Sequence, residues 1–274
     1  GFVAAAGSDR SGREVGWCAM AVVLAYTSPA IGHLFPFCAL LDELAARGHD
    51  IHIRTLASGI DLCRDRGFGA EPVDPRIEAL QSEDWTTSSV LRSVGSTVRV
   101  LTARAALEVA DVNRAMRDVD PDIVIVDANC WGAMSVAETQ QRPWVVLSPF
   151  IPYLRSPGSP PFGAGVTPRR GPLGWVRDLG IGGVTKILFD RPPRAGLAPV
   201  RAPLGLPAAR PAGEPRRRAP AALAATAPTA HEVAEHWGSA VELIGPADFD
   251  PPPRGRRSWL DDIDVPIVLV TTSS

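Results

Sequence analysis

Short apolar runs alternate with helical patterns along most of the chain. The runs are rich in Val, Ile and Leu, which is typical of strands that are buried on both faces of a parallel sheet. The predicted strands cover residues 21–27, 50–56, 71–74, 121–127, 143–148 and 241–245. Apolar residues at helical spacing predict helices over residues 36–47, 60–66, 87–102, 103–119, 133–141 and 173–189. This order of elements predicts an α/β fold with a Rossmann-like open parallel sheet.

The pattern is weaker at the start of the chain and in two internal stretches. Residues 1–19 precede Met20 and are rich in Gly, Ala and Ser without a period, so we interpret them as an extension outside the fold. Residues 149–172 contain many Pro and Gly residues and predict a loop. Residues 191–230 are mainly Ala, Pro and Arg, and we expect no ordered packing there because large apolar side chains are scarce.

The last part of the chain predicts the start of a second domain. Residues 251–264 begin with three prolines and indicate a linker, and another buried apolar run follows them. Because a single strand has no neighbour to pair with, we interpret residues 265–274 as the first strand of a truncated second domain. The first domain would then cover residues 20–250.

The composition excludes several classes of protein. Of the 274 residues, 28 are basic and 30 acidic, and this near-balance argues against a protein that coats nucleic acid, which favours clustered positive charge. The single lysine, Lys186, follows Thr185 and not a glycine, which excludes a P-loop. The four cysteines form no C-x-x-C pair, and no stretch approaches the ~18 apolar residues of a membrane span. We therefore expect a cytoplasmic protein with reduced thiols and without membrane insertion.

Two polar residues stand at the ends of predicted strands, where an open sheet places its site. His33 follows the first strand at the N-terminus of a helix, and an imidazole suits proton abstraction near neutral pH. Asp127 closes the strand of residues 121–127, and a carboxylate beside an imidazole fixes its tautomer and stabilises the imidazolium. By position alone, His33 could equally cap a turn, and Asp127 is more simply explained as the N-cap of the following helix.

Other chemical motifs are absent or weaker. The chain has neither the G-x-G-x-x-G of dinucleotide-binding proteins nor the G-x-S-x-G of α/β-hydrolases. His231 and His236 have no evident third ligand, so we expect no metal site. Trp131 and Phe150 lie near strand ends, where aromatic side chains either line a pocket or belong to the core.

One loop carries a family resemblance: Ser28-Pro-Ala-Ile-Gly-His33-Leu-Phe-Pro36, followed by a helix that ends at Gly48-His49. It resembles the opening of the nucleotide-sugar glycosyltransferases of the GT-B fold. The likeness is to the UDP-glycosyltransferase superfamily, in particular to its bacterial macrolide and natural-product enzymes. Further segments agree with it: residues 121–127, 142–149, 241–246 and 266–274.

The resemblance implies the N-terminal half of a GT-B fold, which binds the acceptor, while a second half binds the nucleotide sugar. It implies that His33 is the general base for an acceptor hydroxyl, that Asp127 pairs with it, and that transfer inverts the anomeric carbon without a metal or cofactor. The implied contacts of a lipophilic acceptor are Ile31, Gly32, Trp85, Asn129, Trp131 and Phe150. The implied donor contacts are Gly32, Thr272, Ser273 and Ser274.

The chain departs from the family pattern in three ways, one of which is that residues 1–19 match nothing, and two rival functions stay open. The family's nucleotide motif is absent, and residues 191–230 match only weakly, so we expect the chain alone to be inactive. The rivals are a small-molecule-binding module without catalysis and a GT-B sugar-nucleotide epimerase. The binding module is favoured if His33 and Asp127 lie farther apart than a hydrogen bond spans, about 3.5 Å. The acceptor, the sugar, the nucleotide and the oligomeric state also stay open.

Overall fold

The computed structural model describes residues 20–81, 90–150, 171–208, 219–226 and 237–251, together with a few single positions elsewhere. Within them, seven strands form one sheet in which every neighbouring pair is parallel. They are β1 (Val22–Tyr26), β2 (Asp50–Thr55), β3 (Gly69–Pro72), β4 (Ile123–Asp127), β5 (Trp144–Ser148), β6 (Ala221–Ala224) and β7 (Val241–Leu243). Their order across the sheet is β3-β2-β1-β4-β5-β6-β7, which confirms the predicted Rossmann-like open parallel sheet.

Six α-helices in the described part of the chain accompany the sheet. They are α1 (Ile31–Ala46), α2 (Ile60–Arg64), α3 (Pro75–Ala79), α4 (Val90–Val119), α5 (Trp131–Thr139) and α6 (Pro172–Arg201). α1 and α2 pack on one face of the sheet, where Leu34 and Cys63 join the core. α4 and α5 pack on the other face around Val112 and Met134. None of these six helices is long and apolar enough to cross a membrane.

Helix α1 begins earlier than the sequence predicts. The prediction placed Pro36 in the first turn of a helix over residues 36–47, whereas α1 starts at Ile31 and contains Pro36 in its interior. Proline removes one helical N–H, whose partner would be the carbonyl of Gly32. Gly32 lies on the exposed first turn, where water can replace that bond. His33 therefore extends from the first turn of a helix and not from a loop.

Helix α4 is one helix where the sequence predicted two, over residues 87–102 and 103–119. Its buried residues Leu101, Ala105 and Val112 keep the helical repeat across the expected break. A continuous buried face therefore holds the helix together along its length.

Ordered structure extends into residues 191–230, where the sequence predicted none. The end of α6 lies in this stretch, and its Leu197 and Val200 pack with Ala105 of α4. β6 consists of small residues and pairs with β5 on one side and β7 on the other. The prediction was wrong because backbone hydrogen bonds on both edges hold the strand, and these need no large apolar side chain.

Several predicted segments lie outside the described residues. They are the extension over residues 1–19, most of the loop over residues 149–172, and most of residues 251–274. The domain boundaries, the linker and the first strand of a second domain therefore stay predictions.

Candidate functional site

His33 and Asp127 meet at the carboxyl ends of the central strands. Asp127 is the last residue of β4, and His33 extends from the first turn of α1, which follows β1. Nδ1 of His33 lies 2.7 Å from Oδ2 of Asp127. The carboxylate is fully buried, while the imidazole is 18% exposed and so remains accessible to a ligand. The two side chains are therefore close enough for the hydrogen bond that the predicted catalytic pair requires. The catalytic role itself stays a prediction.

Asn129 and Phe150 complete the surroundings of the imidazole. The main-chain N–H of Asn129 donates to Oδ1 of Asp127 at 2.7 Å, and its side-chain Nδ2 lies 3.4 Å from Nε2 of His33. Phe150, just after β5, meets His33 in an edge arrangement, with ring centroids 5.8 Å apart and ring planes at 72°. Four of the predicted site residues therefore form one cluster.

Three of the other predicted contacts lie in the described residues: Ile31, Gly32 and Trp131. Trp131 begins α5 and packs with Ala105 and Leu197, between α4 and α6. Ile31 packs against the core cluster under α1. Gly32 is exposed, and a Cβ added there would meet no atom within 4 Å, so packing does not require glycine at this position. Four predicted contacts lie outside the described residues: Trp85, Thr272, Ser273 and Ser274.

The surroundings of His33 raise its affinity for a proton. Burial lowers the pKa of His33, but the charge and the hydrogen bond of Asp127 raise it by more, and Arg104 lowers it slightly in turn. The net result is a pKa above the ordinary value of 6.5. Any reaction that needs His33 as a free base should therefore accelerate as the pH rises through this pKa.

Two buried charged residues near the pair were missed by the sequence analysis. Arg104 and Glu108 extend from α4 and are 8% and 1% exposed. Oε2 of Glu108 accepts the N–H groups of Gly132 at 2.7 Å and Ala133 at 3.4 Å, at the N-terminus of α5. Arg104 donates to the carbonyl of Leu80. Both positions fall on the apolar face of the helical repeat, and a charged residue on that face was the available signal.

The Glu108 side chain holds its proton unusually tightly. Burial raises its pKa to about 8, although the N–H groups of Gly132 and Ala133 and the charge of Arg104 all lower it. Oε1 of Glu108 is buried and has no hydrogen-bond partner in the described part of the protein. At neutral pH the side chain is therefore mainly uncharged.

The free energy of unfolding should consequently fall as the pH rises from about 4.5 to about 8. In this window the unfolded chain has released the Glu108 proton while the folded protein still binds it, so each pH unit costs up to ~1.4 kcal/mol. Glu108→Gln keeps an oxygen for the N–H of Gly132 but does not titrate. Urea unfolding at two pH values inside the window should show a smaller loss of stability in the variant than in the wild type. Equal losses would contradict the raised pKa.

The chain resembles known proteins both in its sequence and in its structure. No protein-family model matches the chain. The chain is 26% identical over 269 residues to 4'-demethylrebeccamycin synthase of Lentzea aerocolonigenes. The match covers 91% of this chain and 62% of that relative. The chain thus spans less than two thirds of the curated relative that it matches.

Solved structures show the same fold. The glycosyltransferase of kitacinnamycin has a TM-score of 0.56 and 19% identity, over 90% of this chain and 55% of that one. The Streptomyces sp. SF2575 glycosyltransferase SsfS6, complexed with thymidine diphosphate, has a TM-score of 0.51 and 14% identity, over 81% of this chain and 52% of that one. These findings confirm the resemblance to GT-B glycosyltransferases that the sequence indicated.

Proposed function

We propose that this chain is the acceptor-binding half of a glycosyltransferase, which transfers a sugar from a nucleotide diphosphate to a hydroxyl group of a small lipophilic acceptor. The observation that carries the proposal is the contact between His33 and Asp127, since open α/β sheets bind ligands beyond the carboxyl ends of their strands. The comparisons support it, because the matched structures are glycosyltransferases and one of them holds thymidine diphosphate.

The proposed step uses His33 as the base. Nε2 takes the proton from the acceptor O–H, and the acceptor oxygen forms a bond to the anomeric carbon of the sugar. The bond from that carbon to the diphosphate oxygen breaks on the opposite face, so the configuration inverts and the nucleotide diphosphate leaves. Asp127 holds the ring through Nδ1 and stabilises the imidazolium that forms. The proposal assigns this chemistry to the two side chains and includes no cofactor or metal.

The aromatic surroundings favour a lipophilic acceptor over a sugar as the ligand of this half. Phe150 presents its ring to His33, and Trp131 stands half-buried at the start of α5. A sugar-nucleotide epimerase would need acidic and basic side chains directed at a sugar. The charged residues next to the pair, Arg104 and Glu108, are instead buried within the protein.

The donor contacts and the cellular location complete the proposal. Gly32 lies beside His33 on the exposed first turn of α1, which leaves room for a donor near the base. Thr272, Ser273 and Ser274 would approach the donor from the second half of the enzyme. We place the protein in the cytoplasm, in keeping with its free buried thiols.

Binding of an acceptor can be tested on this chain directly. We expect members of a panel of hydroxylated aromatic and macrolide compounds to bind, and to shift the NMR signals of the His33 ring and the Trp131 indole. In the longest protein that the gene encodes, the same compounds should gain one sugar from a nucleotide-diphosphate sugar. Mass spectrometry detects the product, and its NMR spectrum gives the anomeric configuration.

Two results would contradict the proposal. One is that no compound of the panel perturbs His33, which would mean that the carboxyl edge of the sheet binds no acceptor. The other is a product with retained configuration, since direct displacement by the acceptor oxygen inverts the anomeric carbon.

A further inference from the structure

The two carboxylate oxygens of Asp127 have different partners. Oδ2 lies 2.7 Å from Nδ1 of His33, and Oδ1 accepts the main-chain N–H of Asn129 at 2.7 Å. A carboxylate only accepts hydrogen bonds, so Nδ1 of His33 is the donor in its contact with Asp127. The neutral imidazole therefore carries its proton on Nδ1 and its lone pair on Nε2.

The side chain of Asn129 meets this lone pair. Its Nδ2 lies 3.4 Å from Nε2 of His33, a long hydrogen bond in which the amide donates. The loop that carries the amide is fixed, because Cys130 N–H donates to the carbonyl of Asp127 at 2.9 Å and Asn129 N–H donates to the Asp127 side chain. The same aspartate thus orients the ring and holds the amide beside it.

We propose that Asn129 is a positioning residue for His33, and that its side-chain amide occupies Nε2 until an acceptor hydroxyl replaces it. The amide NH2 group fits the lone pair of the neutral ring. When the ring has taken a proton, rotation of the amide by half a turn directs its oxygen to Nε2–H, so one residue fits both protonation states. The replacement by an acceptor rests on the function proposed above, whereas the tautomer of His33 does not.

Two charged residues and one aromatic ring set the background for this effect. Asp127, at the end of β4, stabilises the imidazolium, and Arg104, on α4, disfavours it. Phe150 adds an apolar edge after β5. Among the described contacts, the Asn129 amide alone touches Nε2, so a substitution there acts on that nitrogen directly.

The 274-residue chain permits the test, because the readout is the His33 ring and not sugar transfer. In protein labelled with ¹⁵N at histidine, NMR should show a protonated Nδ1 and an unprotonated Nε2 above the pKa of His33. Asn129→Asp places a carboxylate at Nε2 and should raise the pKa of His33 by about 1–3 units. Asn129→Ala should change it by less, because the amide serves both protonation states of the ring and its loss affects each of them.

Asn113 provides the matched control. It is also half-buried, and its amide donates to the carbonyl of Val109 at 2.8 Å within α4. Asn113→Asp introduces the same charge away from Nε2 and should leave the pKa of His33 unchanged, while backbone N–H spectra report whether each variant is folded. Equal shifts in the two aspartate variants, or a proton on Nε2 in the neutral wild type, would overturn the proposal.

The replacement step needs a bound compound from the hydroxylated aromatic panel. Binding should move the side-chain NH2 signals of Asn129 together with those of the His33 ring. Binding that shifts the His33 ring signals and leaves the side-chain NH2 signals of Asn129 unchanged would overturn the proposed replacement. It is also informative if no compound binds while the His33 tautomer and the His33 pKa in the Asn129 and Asn113 variants are as expected. The function proposed above then fails, and the positioning role of Asn129 is supported.

Discussion

His33→Ala should lower kcat for sugar transfer 10²–10⁴-fold in an enzyme that contains this chain as its acceptor half, which is the typical contribution of a positioned general base. The variant removes the nitrogen that would take the acceptor proton. Release of the nucleotide diphosphate under saturating substrates measures the loss. The wild-type rate should also rise with pH through the His33 pKa, above 6.5, because Asp127 favours the protonated ring that cannot act as a base. The variant should lose this dependence.

His52 offers a matched control for that loss. It forms another His–Asp contact, with Nε2 at 3.2 Å from Oδ2 of Asp50, but this contact is exposed. Asp50 begins β2, whereas Asp127 ends β4, so the two contacts lie at opposite edges of a parallel sheet. His52→Ala should therefore leave kcat unchanged. Full activity in His33→Ala, or equal losses in the two variants, would refute the assignment of the base.

Gly132→Ala should lower the free energy of unfolding by about 1–3 kcal/mol or more, the usual cost of overpacking a core. A Cβ at this position would lie 2.0 Å from the carbonyl oxygen of Ala105 and 2.9 Å from its Cα. These are backbone atoms of α4, so no side chain can rotate away and the two helices must separate. Separation also lengthens the hydrogen bond from Gly132 N–H to Glu108, now 2.7 Å. Urea unfolding measures the loss.

The same substitution at Gly95 has the opposite expected sign. Gly95 lies within α4, and a Cβ added there would meet no atom within 4 Å. Gly95→Ala should therefore stabilise the protein by roughly 0.5–1 kcal/mol, because glycine loses more conformational entropy in a helix than alanine does. A Gly132→Ala variant as stable as Gly95→Ala would mean that α4 and α5 are not in this close contact.

The close approach of α4 and α5 also bears on the site. α5 starts four residues after Asp127, and Asn129 lies in the connection between them. Gly132 lets α5 approach α4 until Glu108 reaches its first N–H groups. The position of the Asn129 amide thus depends on a helix contact that shares no residue with the His33–Asp127 pair.

The hydrophobic pattern by itself determined the fold class. The apolar runs near 21–27, 50–56 and 121–127 are strands in the structure, and β1 lies between β2 and β4. Runs rich in Val, Ile and Leu favour a parallel sheet that is covered on both faces. The same pattern placed His33 and Asp127 at strand ends, and strand ends of a parallel sheet share one edge. Local sequence was therefore sufficient for the fold class and for the neighbourhood of the site.

Tertiary structure alone decided the rest. The contact of His33 with Asp127 joins residues that are 94 apart along the chain. Which atoms of the two side chains meet depends on how α1 and β4 are placed on the sheet. The hydrophobic pattern predicted neither strand β6 nor the burial of Glu108, and the two have a common reason. A pattern of apolar positions records which side chains favour burial. Backbone hydrogen bonds hold β6, and N–H groups of α5 donate to the buried carboxyl of Glu108. Neither kind of hydrogen bond leaves a trace in a pattern of apolar positions.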